Sequence, residues 1–258
     1  MIIGIVANET KDLNLAFAGE ISVWFEARGH SLVWDDAAYE SDFLVVLGGD
    51  GTMLRAAKTA AKFSTPMLGI NLGNLGYLTD VDRNEGFIAI EKMLAGHFRQ
   101  ERRMMLNCKG ELALNEVFLR GDTSKLTSFQ IGVGGKFGPY GHMDTLRADG
   151  IIVATPTGST AYNLSAGGPI LKPDSEMMVV TAVCPHTLYT RPWVLSGEDQ
   201  VCITPLDENV KVFLDGEIKF TIRKGESLEI SRSEHNAIVI KTSSTDFFGV
   251  LRKKMGNA

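Results

Sequence analysis

Three stretches of the chain hold side chains whose types and spacing suit chemistry. The first is Gly48-Gly49-Asp50-Gly51-Thr52, directly after the apolar run Phe43 to Leu47. Glycine at 48, 49 and 51 strips side-chain bulk from a strand-to-helix turn, so backbone N–H groups and the positive end of a helix can approach a phosphate closely. A carboxylate repels phosphate unless a cation lies between them, so Asp50 is better suited to take a proton from an attacking hydroxyl. Phosphoryl transfer needs an aligned nucleophile, neutralised phosphates and such a base. Read structurally, the same fragment is a tight turn in which Asp50 caps the following helix. Neither GxxxxGK[ST] nor GxGxxG occurs in the chain, so a nucleotide site here must be built differently.

The second stretch runs from Asp149-Gly150 through Thr155-Pro156-Thr157-Gly158-Ser159-Thr160-Ala161-Tyr162-Asn163-Leu164-Ser165. An apolar strand ends in a turn dense in hydroxyls, followed by a short helix near Thr160 to Ser165. That loop offers donors for ribose or phosphate, and Tyr162 offers a face for a purine. Its structural reading is a turn capped by Ser159 or Thr160. Arg147 and Asp149 stand two apart, on one face if the segment is extended. The third stretch is Asn115-Glu116 inside the apolar Leu112 to Leu119. Neighbouring strand residues face opposite ways, so only a strand end or a bulge lets both converge. Otherwise Glu116 faces water. His186, Asp215-Gly216-Glu217, Lys253-Lys254 and Met104-Met105 read as loop polar groups, a solvated helix face and core filler.

These stretches need elements to carry them. Ile2 to Ala7, Phe43 to Leu47 and Met67 to Ile70 are continuous apolar runs, which suits strands covered on both faces. Between the first two, Leu13, Phe17, Ile21, Val23, Trp24 and Phe25 recur at helical steps, with Gly29 suited to the helix end. Met53, Leu54, Ala57 and Ala61 repeat the pattern after the second run. Strand and helix alternation predicts a mostly parallel sheet with ligands at the carboxyl ends of its strands. Beyond about residue 98 the texture changes to short segments, among them Thr127 to Val133, Ile151 to Ala154, Met177 to Val183, Val201 to Thr204 and Val210 to Leu214. Their density predicts packed antiparallel sheets. Asp246 to Lys254 reads as a helix.

Composition bounds the function. The 258 residues carry 26 Lys+Arg against 31 Asp+Glu, a formal net charge of −5, and 44% are hydrophobic. Wholesale disorder is excluded. An acidic balance also argues against a nucleic-acid surface. Cys108, Cys184 and Cys202 are too sparse for a disulfide scaffold, and no apolar run approaches the ~20 residues that cross a bilayer. The N-terminal MIIGIVANET lacks the basic leader of a signal peptide, so the expectation is a cytoplasmic protein with no membrane or nucleic-acid partner.

Together the three stretches resemble the NAD kinase family. Gly48-Gly49-Asp50-Gly51-Thr52, Asn115-Glu116 and Asp149 through Ser165 with Ala166-Gly167-Gly168-Pro169 stand in the family's order and span most of the chain. The first motif is shared with lipid kinases and, loosely, with phosphofructokinases; Thr155 to Tyr162 is far more specific. The resemblance implies an ATP-dependent kinase that converts NAD to NADP. Asp50 would draw the proton from the 2′-hydroxyl of the adenosine ribose as it attacks the γ-phosphate. Gly48, Gly49, Gly51 and Thr52 would shape the phosphate loop, with Arg55, one helical turn on, neutralising phosphate. Asn115, Glu116 and Asp149 match NAD contacts, with Arg147 a neighbour. Thr160, Ala161, Tyr162, Asn163, Leu164 and Ser165 match the segment lining the dinucleotide pocket.

The family's architecture agrees with the texture change. It implies an α/β, Rossmann-like phosphate-donor domain over 1–98 with 243–258 packing back on it, and a β-rich, sandwich-like NAD-binding domain over 99–242. A divalent metal, normally magnesium, would arrive on ATP, since the sequence shows no dedicated carboxylate cage. A homodimer or homotetramer is expected. A lipid kinase of the diacylglycerol type and a non-catalytic NAD(P)-binding sensor are the competing readings.

Overall fold

The computed structural model describes the chain except residues 74, 75, 80, 124, 136–140, 244, 245, 257 and 258; for His142 and Met143 it describes the backbone alone. The chain divides into two compact units, Met1–Arg102 with His235–Ala258, and Arg103–Glu234.

In the first unit β1 (Ile2–Ala7), α1 (Ala16–Glu26), β2 (Ser31–Val33), β3 (Phe43–Gly48), α2 (Asp50–Phe63), β4 (Met67–Asn71), β5 (Val81–Asp82) and α3 (Gly86–Leu94) follow in order. The strands pair in parallel as β2–β1–β3–β4, with β5 also on β4. Every residue of β4 is buried, as a central parallel strand requires. Phe17, Ile21 and Phe25 recur every four residues on α1 and enter a core with Ile3, Ile5, Val45, Leu47, Leu68 and Ile70. Leu13 and Val23, which the sequence reading put on the same apolar face, are 74% and 67% exposed. Leu13 lies before the helix, and Val23 sits two residues, about 200°, from Ile21. On α2 the buried stripe is Met53, Ala56, Ala57, Ala60 and Ala61.

The second unit is antiparallel. After β6 (Arg99–Cys108) and β7 (Glu111–Ala113) come β8 (Glu116–Gly121), β9 (Thr127–Gly135), β10 (His142–Ala148), β11 (Gly150–Ala154), α4 (Tyr162–Ser165), β12 (Met177–Val183), β13 (Trp193–Ser196), β14 (Asp199–Pro205), β15 (Val210–Leu214), β16 (Glu217–Ile222) and β17 (Leu228–Lys241). One sheet runs β13–β12–β11–β8–β15–β16, and β10–β9–β14 pair into a second with the early part of β17. Inward residues of both sheets, including Val117, Leu119, Ile151, Val153, Phe129, Ile131, Val201 and Ile230, form one core. The chain passes between the units inside β6 and inside β17, whose late part pairs in parallel with β4 at Val239 and Met67. Helix α5 (Phe247–Met255) starts at Asp246, whose carboxylate accepts the Gly249 N–H at 2.7 Å.

Candidate active site

In the first unit the strand order reverses between β1 and β3, so the loops leaving those strands border the crevice that open α/β sheets use for ligands. Gly49 sits at the N-terminus of α2 with extended backbone and no side-chain cap; the Thr52 amide donates to the Gly49 carbonyl at 2.9 Å, which leaves the Asp50 and Gly51 amides without intrahelical acceptors. Thr52 is buried, and its hydroxyl accepts from Asn8 Nδ2 at 3.2 Å, tying the loop after β1 to the turn after β3.

Asp50 does not cap α2. Its Oδ1 accepts the Leu78 and Thr79 amides at 3.0 and 3.2 Å and the Thr79 hydroxyl at 3.3 Å, while Oδ2 accepts the Tyr77 amide at 2.8 Å. A loop after β4 therefore folds over the carboxylate. A Cβ on Gly76 would overlap Asp50 Oδ1, so only glycine permits this approach. From the other side buried Lys241, at the end of β17, donates to the Leu78 carbonyl at 3.2 Å. Burial, and then the Asp50 charge, push the Tyr77 hydroxyl above its ordinary range. Gly51 and Arg55 are exposed; burial, and then the Asp36 charge, push the half-buried Tyr39 hydroxyl above its ordinary range, with the Arg55 charge opposing them.

The second unit holds the other predicted residues. Asn115 lies in the bend before β8, half-buried, and Glu116 opens the strand with its side chain buried. Asp215 shapes that bend: its carboxylate accepts the Leu114, Asn115 and Glu116 amides at 3.0, 2.7 and 3.2 Å. The left-handed backbone at Asp215, φ 51°, turns β15 into β16 and aims it there. The turn after β11 lies on the same bend. Thr155 N–H donates to the Asn115 carbonyl at 2.9 Å, and a Cβ on Gly158 would overlap the Asn115 main chain.

Within the predicted pocket segment the roles divide. Tyr162 is 41% exposed, and its ring meets Phe118 edge-on at 5.1 Å between centroids. Thr160, Ala161 and Leu164 are half-buried, and Ser165 is exposed. Asn163 is fully buried; its amide donates to the Ser159 and Pro169 carbonyls at 3.2 Å each and accepts from the Thr181 hydroxyl at 2.7 Å. Asn163 thus holds the segment in shape from behind. Arg147 and Asp149 are both exposed, with no ion pair between them among the described residues. Sequence reasoning missed the 76–79 loop and the reach of Asp215, because each acts on a partner distant in the chain. The Asp-Gly turn at 215–216 was the one available signal.

Residues 28–98 match the ATP-NAD kinase N-terminal domain, and residues 114–242 the ATP-NAD kinase C-terminal domain. The chain belongs to the NAD kinase family. As a member it is a phosphotransferase that uses ATP to phosphorylate NAD to NADP. The NAD kinase of Caldanaerobacter subterraneus subsp. tengcongensis is 36% identical over 282 residues, covering 98% of each chain. That of Clostridium beijerinckii is 42% identical over 228 residues, covering 84% of this chain and 78% of its own. Among solved structures, an Archaeoglobus fulgidus NAD kinase in complex with ATP superposes with a TM-score of 0.82 at 25% identity, covering 99% of this chain and 98% of that one. A yeast NADH kinase complexed with NADH gives 0.82 at 26%, covering 99% and 87%. The lipid-kinase and sensor readings are not favoured.

Proposed function

We propose that Asp50 Oδ2 is the proton acceptor for the 2′-hydroxyl of the NAD adenosine ribose as that oxygen attacks the γ-phosphorus of ATP. The observation that carries this is the unequal loading of the carboxylate: Oδ1 takes three donors and Oδ2 one, which leaves Oδ2 a lone pair for an incoming hydroxyl. The new P–O bond forms as the bond to the ADP oxygen breaks, and the hydroxyl proton passes to Asp50. Gly48, Gly49, Gly51 and Thr52 form the seat for the triphosphate, with Arg55 nearby. Asn115, Glu116 and Asp149, with Arg147 beside it, contact NAD. Thr160, Ala161, Tyr162, Leu164 and Ser165 line its pocket, and Asn163 supports them. The segment 1–98, with 243–258, serves as the phosphate-donor domain and 99–242 as the NAD-binding domain.

A divalent cation, magnesium by its affinity for phosphate oxygens, would shield the triphosphate charge when bound. Among the described residues no group of three or more His, Cys, Asp or Glu side chains is gathered to hold it, so no protein ligand is assigned. The functional form is a homodimer or homotetramer in the cytoplasm; no described helix is long and apolar enough to cross a membrane.

The test is Asp50→Asn in an assay of NADP formation read by an NADP-specific dehydrogenase, with NAD binding measured alongside. The amide keeps an oxygen for the Leu78 and Thr79 donors but cannot take the proton. The expected kcat falls about 10²- to 10⁴-fold while NAD affinity stays within about threefold. A variant that binds NAD and turns over like the parent removes Asp50 from the proton transfer.

A further inference from the structure

We propose that Lys11, on the loop after β1, is the cation that meets the ATP triphosphate above the Gly48–Gly51 turn, an inference that rests on reading that turn as the phosphate seat. Its backbone is fixed on both sides. The Lys11 and Asp12 amides both donate to the Asn8 carbonyl, at 3.0 and 2.9 Å, and the Asn8 side-chain oxygen accepts the Thr10 amide at 3.1 Å. The buried Asp12 carboxylate accepts the Phe17 and Ala18 amides at 2.9 Å each, pinning the loop to the start of α1.

From that anchored position the side chain reaches across to the neighbouring turn. Lys11 Nζ lies 2.8 Å from the point a Cβ on Gly49 would occupy and 3.6 Å from the corresponding point on Gly73. Two stretches of bare backbone, one after β3 and one after β4, therefore flank the ammonium. Among the described residues it makes no hydrogen bond and no ion pair. Asp50, the acid of the same turn, accepts the amides of residues 77–79 and makes no ion pair with Lys11 among the described residues.

A free ammonium held beside the positive end of α2 places two like-signed features together, which is unfavourable until an anion enters between them. A polyphosphate is the ligand that satisfies both, because lysine acts on phosphate as a point charge while amides bind its oxygens. Arg55, one turn along α2, is exposed and lies on a different element from Lys11. Nothing in the local sequence marks Lys11; only the β2–β1–β3–β4 order brings its loop against the glycine turn.

The test uses the full chain with Lys11→Met, Lys11→Arg and Gly49→Ala. Because Lys11 is exposed, the fold should survive, as a thermal melt and NAD titration would report. Lys11→Met is expected to raise KM for ATP and weaken ATP binding by calorimetry about 10- to 100-fold, the range for losing one charged hydrogen bond, with KM for NAD nearly unchanged. Lys11→Arg should recover most of the loss, and the salt dependence of ATP binding should flatten in Lys11→Met. The proposal is overturned if Lys11→Met leaves KM for ATP within about twofold of the parent, or shifts KM for NAD instead. Gly49→Ala separates the two readings: if it raises KM for ATP while Lys11→Met does not, the turn remains the phosphate seat and Lys11 is excluded. If neither variant moves it, both assignments fall.

Discussion

Asp50 uses its two carboxylate oxygens unequally, and that asymmetry governs how substitutions there should be interpreted. Removing the side chain releases the 76–79 loop as well as the base, so Asp50→Ala confounds structure with chemistry, whereas Asp50→Asn keeps part of the anchor. Tyr162 is the cleaner probe on the other unit. Its ring is exposed and rests edge-on against Phe118, so its face is available for stacking and its loss opens no core cavity. Tyr162→Ala should weaken NAD binding by about 1–3 kcal/mol, the range for one base–aromatic stack, while Tyr162→Phe stays near the parent. Calorimetric titration with NAD decides it; equal affinity for all three proteins would take Tyr162 out of the pocket.

At the scale of elements, the candidate residues of each unit lie on loops held by a carboxylate from elsewhere in that same unit. Asp50 gathers the amides of residues 77–79, and Asp215 gathers those of 114–116. Each arrangement satisfies backbone donors that the turns would otherwise strand. Close approach makes glycine obligatory at particular points. Gly158→Ala pushes a methyl group into the Asn115 main chain, which cannot yield as a flexible side chain would, so a loss of about 2 kcal/mol or more is expected. Gly51→Ala is the control, since a Cβ there meets nothing within 4 Å and the residue is already helical. Thermal melts should show Gly158→Ala lowered by several degrees and Gly51→Ala unchanged or slightly raised. A Gly158→Ala protein as stable as the parent contradicts the packing of the turn after β11 on the bend.

Across the whole molecule, burial controls which thiols can react. Cys108 and Cys202 lie inside, and burial raises both, Cys108 to about 12. Only the thiolate attacks a disulfide reagent, so neither should react while the fold is intact. Cys184 is exposed on the bend after β12. Titration with a chromogenic disulfide at pH 8 should therefore modify one thiol at most in the native protein and all three after unfolding. Two or more fast-reacting thiols in the native state would mean that the second unit opens readily.

How much was legible from residues alone follows from how far each signal travels along the chain. Continuous apolar runs specified β1, β3 and β4 of the first unit, since a strand buried on both faces must be apolar throughout, but not the short β2 and β5; alternating short segments specified an antiparallel second unit. The glycine–aspartate turn and the Thr155–Ser165 run stood out because their chemistry is local. The sequence did not separate Asn163, which points into the fold, from Tyr162, which points out, because direction on a four-residue helix depends on what lies beneath it. Nor did it reveal that Asp50 holds residues 77–79, that Asp215 shapes the bend at 115, or that Lys11 stands over Gly49. Those are pairings between loops far apart in sequence, and they come into being only when parallel strands align their carboxyl ends and antiparallel ones bring their turns together.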